Sequence, residues 1–305
     1  MPPFSPSIRV VATPSLQIGY EEHGNAMGEP LILLHGWPYD PRSFDDAVEP
    51  LAAAGYRVIV PYVRGFGPTR YAGPSVFRSG QQTALAHDVI DLMDALGITK
   101  ATLAGFDWGN RSAIIVAALW PERVRALVSC AGYTVIDPGQ LHVEPGSPAQ
   151  LHHAWYRFVM NAPNGEAYLR SHRGEFTREC WTLWSPGWGF SDDLFAETAT
   201  SFQGEDWLQT TLHCYRFWYG NADSDPNLAP FERQLKSRPP VAAPTITLAA
   251  SNDPLFPASF TEGQQKLFQG SYERRVIDGS GHYIPKEAPK AFVRALIDVR
   301  SMVHG

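Results

Sequence analysis

Short apolar runs alternate with helical runs through both ends of this chain, and that alternation limits its fold more than any other feature. Residues 8–12 and 16–22 read as a hairpin pair, 31–34 as a short buried strand, 43–54 as a helix and 57–60 as a strand. An amphipathic helix over 80–96 closes at Gly97, as helices often close at glycine. A strand over 101–104, a helix over 112–119 stopped by Pro121 and a strand over 124–130 follow. The pattern resumes late, with strand 244–250, helix 259–268, strand 272–277 and helix 287–303. Such alternation specifies an α/β fold, here a mostly parallel eight-stranded sheet with helices on both faces.

The stretch 138–239 has a different texture. It holds six of the nine tryptophans, namely Trp155, Trp181, Trp184, Trp188, Trp207 and Trp218. Strand signals are weak there, and its helical segments are separated by Pro/Gly breaks. It reads as a helical cap inserted into a core domain made of 1–137 and 240–305. Most of its aromatic residues are expected to build the insertion's own core.

Composition narrows the function classes. At 305 residues the chain is long enough for one large domain or for a domain with an insertion. A formal net charge of -6 and the lack of a Lys/Arg run argue against a nucleic-acid surface. Its apolar runs fall well short of the roughly 20 residues that a membrane span needs. The opening MPPFSPSIRV has no basic segment followed by an apolar one, so no secretory signal is expected. Cys130, Cys180 and Cys214 match neither a disulfide framework nor a zinc pattern, and read as reduced thiols of a cytoplasmic protein. His152-His153 lacks metal-ligand spacing, so neither metal nor cofactor is expected.

Four segments fall just after predicted strands, where open parallel sheets place their ligands. They are His35-Gly36-Trp37-Pro38, Gly105-Phe106-Asp107-Trp108-Gly109, Ser251-Asn252-Asp253-Pro254 and Gly279-Ser280-Gly281-His282. Each has an ordinary reading: Asp107 as a helix N-cap, Asp253 as a turn residue, His282 as a hydrogen-bonded structural histidine. Together, on neighbouring strand ends, they supply a nucleophile, an orienting acid and a base.

This set resembles the α/β-hydrolase family over nearly the whole chain, with an elbow of the form G-x-D-x-G and the order nucleophile, acid, histidine. The resemblance implies that Asp107 sits on a strained strand-to-helix turn, that Asp253 orients His282, and that the backbone N–H groups of Trp37 and Trp108 form an oxyanion hole. The carboxylate in place of serine is informative. Against an ester carbonyl it would give an anhydride, with little gain. Against an electrophilic saturated carbon it gives an alkyl ester, which water activated by His282 then cleaves at the carbonyl of Asp107. Epoxides and alkyl halides are substrates of that kind.

Leaving-group chemistry separates the two. An epoxide oxygen leaves as an alkoxide and needs an acidic O–H donor, whereas a halide needs only weak N–H donors. Epoxide hydrolases carry two cap tyrosines, and Tyr215-Arg216 matches the second setting well. Tyr156-Arg157 matches the first less well, because Arg stands where Gln is usual. The resemblance implies that Tyr156 and Tyr215 hold the epoxide oxygen and that one supplies its proton. The plain alternative for each is a core tyrosine with a buried partner. H-G-x-P fits the same enzymes, with Pro38 expected to be cis.

Haloalkane dehalogenases share Asp-Trp-Gly at the elbow, where the Trp108 indole would bind halide, but they often have Asn in place of Trp37. Haloacetate dehalogenases hold a substrate carboxylate with two arginines, of which only Arg111 is matched here; Trp155 or Tyr156 would then be halide donors. Asp137 is the runner-up acid, Phe106 an apolar floor to the site, His35 a structural residue, and 63–71 a structural turn. The expected activity is hydrolysis of a small apolar epoxide by water. Dehalogenation is the alternative reaction, and a non-catalytic ligand receptor is the alternative of another class. A homodimer is compatible with the sequence, which does not fix the oligomeric state.

Overall fold

A computed structural model describes residues 7–138 and 146–303 of the chain. The first six residues of the stretch read for a secretory signal, and 139–145 of the expected insertion, lie outside the described residues. Among the described residues the strands are β1 (Arg9–Ala12), β2 (Leu16–His23), β3 (Glu29–Leu34), β4 (Tyr56–Pro61), β5 (Arg70–Tyr71), β6 (Ala101–Gly105), β7 (Val124–Cys130), β8 (Thr245–Ala250) and β9 (Tyr272–Ile277). They form one sheet in the order β1-β2-β4-β3-β6-β7-β8-β9. β1 and β2 make the expected hairpin, β2 also pairs antiparallel with β4, and every pairing from β4 to β9 is parallel. The sheet has nine strands, not eight. The extra one is β5, two residues inside the 63–71 turn that pair with Leu16 and Gln17, too short for any periodic signal.

Alternation along each strand divides the core in two, because successive side chains leave a strand on opposite faces. Leu31 and Leu33 join one cluster, and Ile32 and Leu34 the other. The first face is covered by α1 (Asp45–Ala53) and α12 (Pro289–Ser301), the second by α2 (Gln82–Ala95) and α3 (Asp107–Leu119). Both faces of the parallel part are therefore buried, which explains its unbroken apolar runs.

Three helical expectations need correction. The helix expected over 43–54 begins as a 3-10 turn, Pro41–Phe44, with the Asp40 carboxylate accepting from the Arg42 amide, and becomes α-helical only at Asp45. The helix expected over 259–268 is two 3-10 turns, Ala258–Thr261 and Gln264–Leu267, parted by Glu262-Gly263. The helix expected over 287–303 is split into α11 (Ile284–Glu287) and α12, because Pro289 starts a new helix rather than continuing the old one.

Between β7 and β8 the described residues form seven α-helices: α4 (Pro148–His153), α5 (Trp155–Asn161), α6 (Gly165–Ser171), α7 (Arg173–Trp184), α8 (Asp192–Ala199), α9 (Glu205–Trp218) and α10 (Ala229–Leu235). The apolar faces of α5 to α9 join the same cluster as Trp37 and Phe106, whereas Leu235 of α10 joins the cluster on the other face of the sheet. No helix among the described residues is long and apolar enough to cross a membrane.

Candidate active site

The turn between β6 and α3 is built by close approach. A Cβ on Gly109 would lie 2.0 Å from the Leu34 carbonyl oxygen, and one on Gly36 would lie 2.4 Å from the Asp107 Cβ. Both positions therefore require glycine, and together they press α3 and the 35–38 loop against the strand ends. Asp107 sits at the crest with φ of +52°, a strained region for a residue with a side chain. It is not an N-cap. Phe106 holds that position, and the Asp107 side chain turns to the neighbouring loop, where its Oδ1 accepts the Trp37 N–H at 2.8 Å.

The other three segments converge on this carboxylate. His282 Nε2 lies 3.5 Å from Asp107 Oδ2, and its Nδ1 is 2.8 Å from Asp253 Oδ2. Asp253 also satisfies its ordinary reading: its Oδ1 accepts the N–H groups of Leu255 and Phe256, fixing the turn while Oδ2 holds the imidazole. The acid beside His282 is thus Asp253 and not Asp137. Burial works against the charged imidazole, but Asp253 and Asp107 outweigh it and push its pKa up to about 10. Burial likewise opposes ionisation of Asp107. His282, Arg111 and the Trp37 amide overcome that and hold the carboxyl below its usual range.

The oxyanion donors expected at Trp37 and Trp108 stand on two elements. Trp37 N–H already points at Asp107, and its peptide bond to Pro38 is cis. Trp108 lies in the first turn of α3, ahead of the first intrahelical bond, from Asn110 N–H to the Phe106 carbonyl, so its N–H has no partner within the helix. His35 is locked beneath them. Its Nε2 accepts the Val63 N–H and its Nδ1 donates to the Gly36 carbonyl, and burial lowers its pKa to about 4.

Both tyrosines arrive from the insertion. Tyr156 on α5 stacks on the Trp37 ring at 5.5 Å, and Tyr215 on α9 meets the same ring edge-on at 5.2 Å and Tyr156 at 5.2 Å. Each phenol oxygen accepts one N–H: Tyr156 from Arg157 Nε at 3.0 Å, Tyr215 from Trp108 Nε1 at 3.2 Å. Neither hydroxyl donates to any of the described residues, so both O–H groups remain free to donate elsewhere.

Other expected residues are placed less directly. Phe106 is fully buried among Tyr39, Phe44 and Tyr283. Trp155 packs edge-on against Phe176 rather than on the rings beside Asp107. Consecutive helical residues diverge by about 100°, so Tyr156 and Trp155 do not both face the site. Arg111 is buried, with Nε donating to the Thr134 carbonyl and its guanidinium 4.8 Å from the Trp218 ring.

Two positions carry more than the sequence suggested. Glu287 accepts from the N–H groups on either side of His282, at Gly281 and Tyr283, and from Ser185 of the insertion. Arg157 was visible only as a departure from Gln. Neither contact follows from spacing alone: the Arg157 rotamer decides whether it meets the adjacent Tyr156, and Glu287 gathers two amides of its own loop together with the distant Ser185.

A family model described as the alpha/beta hydrolase fold matches residues 29–289. A Klebsiella pneumoniae subsp. pneumoniae crystal structure, provisionally assigned as an epoxide hydrolase, is 42% identical with a TM-score of 0.93, and the match covers 97% of each chain. Epoxide hydrolase A of Mycobacterium tuberculosis is 25% identical over 96% of this chain and 97% of its own. A haloalkane dehalogenase of Mycobacterium marinum is 32% identical over 50% of this chain and 48% of its own.

Proposed function

The chain belongs to the α/β-hydrolase fold family, and from that membership we propose that it is an epoxide hydrolase, turning small apolar epoxides into vicinal diols through an ester on Asp107. The observation that carries this reading is the pair of phenols beside the elbow, each accepting an N–H and keeping its own proton available. An epoxide oxygen needs such donors, because it leaves as a strong base. The relatives named for epoxide hydrolysis support the same reading.

The chemistry follows from the contacts. Asp107 Oδ1 is held by Trp37, which leaves Oδ2 to attack a ring carbon. A C–O bond forms as the ring C–O bond breaks, and the freed oxygen takes a proton from a tyrosine. Esterification removes the charge of Asp107, one of the two carboxylates that keep His282 protonated. The imidazolium then gives its proton to the tyrosinate, becomes a competent base and takes a proton from water, which attacks the Asp107 carbonyl. The N–H groups of Trp37 and Trp108 stabilise the resulting oxyanion. Collapse expels the diol oxygen, which takes the His282 proton, and the proton left on the Asp107 carboxyl returns to His282. Residues 138–239 act as a cap that shields the site from bulk solvent, and the three buried free cysteines fit a cytoplasmic setting.

The indole of Trp108 argues against dehalogenation, since its N–H is engaged by the Tyr215 oxygen rather than open to a halide. A single turnover with styrene oxide in heavy-oxygen water tests the proposal. Label should enter the Asp107 carboxylate and be absent from the first diol. Label going directly into the first diol would overturn the covalent route. Bromide release from 1-bromobutane, with no diol from styrene oxide, would favour the dehalogenase.

A further inference from the structure

Resting on the epoxide-hydrolase reading, we propose that Arg157 is a positioning residue that makes Tyr156, rather than Tyr215, the proton donor to the epoxide oxygen. The two phenols are not equivalent. Tyr156 Oη accepts from a guanidinium at 3.0 Å, whereas Tyr215 Oη accepts from a neutral indole at 3.2 Å. A donor that carries charge makes the stronger bond, and its advantage grows as the acceptor becomes anionic. That is what happens to the tyrosine that gives up its proton.

The contact is not a by-product of helix geometry. Neighbouring residues on a helix do not face each other, and Arg157 reaches back along its own stem to meet the adjacent phenol. Its guanidinium is steadied 5.5 Å from the Trp218 ring and 5.4 Å from the Tyr156 ring. Burial raises the pKa of both phenols. Arg157 opposes that at Tyr156 through both its charge and its hydrogen bond and holds it at about 12, whereas at Tyr215 it opposes burial, Tyr156 and Asp107 by charge alone. During ring opening the epoxide C–O electron pair goes to oxygen, the Tyr156 proton follows, and the phenolate stays beside Arg157. It regains a proton from His282, which frees the imidazole to act as the base in ester hydrolysis.

Rapid-quench mass measurement of the Asp107 adduct with styrene oxide separates alkylation from ester hydrolysis. Arg157→Met should slow alkylation about 10–100-fold, the worth of a hydrogen bond to a charged group, and leave hydrolysis of the ester unchanged. Arg157→Gln, a neutral N–H donor, should fall between Met and the parent, and it carries the same comparison should the Met variant not fold. Combined with Tyr156→Phe, either Arg157 variant should be no slower than Tyr156→Phe alone, since a group acting through a missing partner has nothing left to lose. Additive losses, parent-like alkylation, or equal slowing of both steps would overturn the inference. If the parent itself forms no Asp107 ester, the epoxide reading falls and this inference with it. If the parent forms the ester and the Arg157 variants match its rate, only this inference falls.

Discussion

At the scale of single residues, the site works through charges that depend on one another. His282 is held protonated by two carboxylates, and in the proposed reaction one of them is consumed each time a substrate is attacked. An Asp107→Asn variant imitates that consumed state. Its His282 should titrate below the parent value of about 10, because Asp253 alone then opposes burial. Nitrogen-15 NMR titration of the imidazole reads the midpoint, and an unmoved midpoint would sever the link between the two residues. Asp107, Asp253 and His282 were legible in the sequence because each follows a strand and has small or turn-forming neighbours. Arg157 and Glu287 were not, since their partners are set by rotamer and by packing across the fold, which no spacing rule records. Phe106 and Trp155 show the same limit from the other side: an aromatic next to a functional residue need not face the site.

At the scale of elements, the decisive part is the short segment between β9 and α12. Glu287, in the last turn of α11, gathers the amides flanking His282 and the Ser185 hydroxyl onto one carboxylate. Glu287→Ala leaves these donors without their acceptor, at about 1–3 kcal/mol for each that stays buried. The loss falls on the loop that carries the base, while Asp107 and the tyrosines keep their supports. The variant should therefore alkylate at the parent rate but turn over more slowly, with the Asp107 ester accumulating in the steady state. Intact-protein mass during turnover checks this, and equal slowing of both steps would refute it. Strands were the most legible elements, because buried parallel strands write continuous apolar runs. The helix expected over 259–268 failed because Gly263, in the left-handed region at φ of +70°, parts two 3-10 pieces. The strand β5 was missed for want of length.

At the scale of the whole molecule, the insertion and the sheet domain meet in polar contacts buried among aromatic rings. Trp181 Nε1 donates to the Pro38 carbonyl, Trp37 Nε1 to Thr211, and the Ser201 hydroxyl to Asp40. Burial raises the pKa of Asp40 from 3.8 to about 7, against the pull of Ser201 and Arg42. The unfolded chain therefore releases this proton at lower pH than the folded one. Stability contributed through Asp40 is fully present below about pH 4 and lost as pH rises through 7. The difference in unfolding midpoint between the parent and an Asp40→Asn variant should change across that window and level off above it. A difference that is constant with pH would show that Asp40 does not titrate there. A helical insertion was legible from its texture, but its grip on the 37–40 loop was not, because a tryptophan's indole partner cannot be read from its neighbours in sequence.

The carbonyl of Trp184 also accepts the His282 amide N–H at 2.9 Å. One helix end therefore steadies His282 while its neighbours steady the 37–40 loop beside Asp107. Swinging the insertion aside as a rigid flap would take both supports away at once. Loading that keeps both supports therefore calls for side chains of the insertion to yield one by one, with its backbone staying in place.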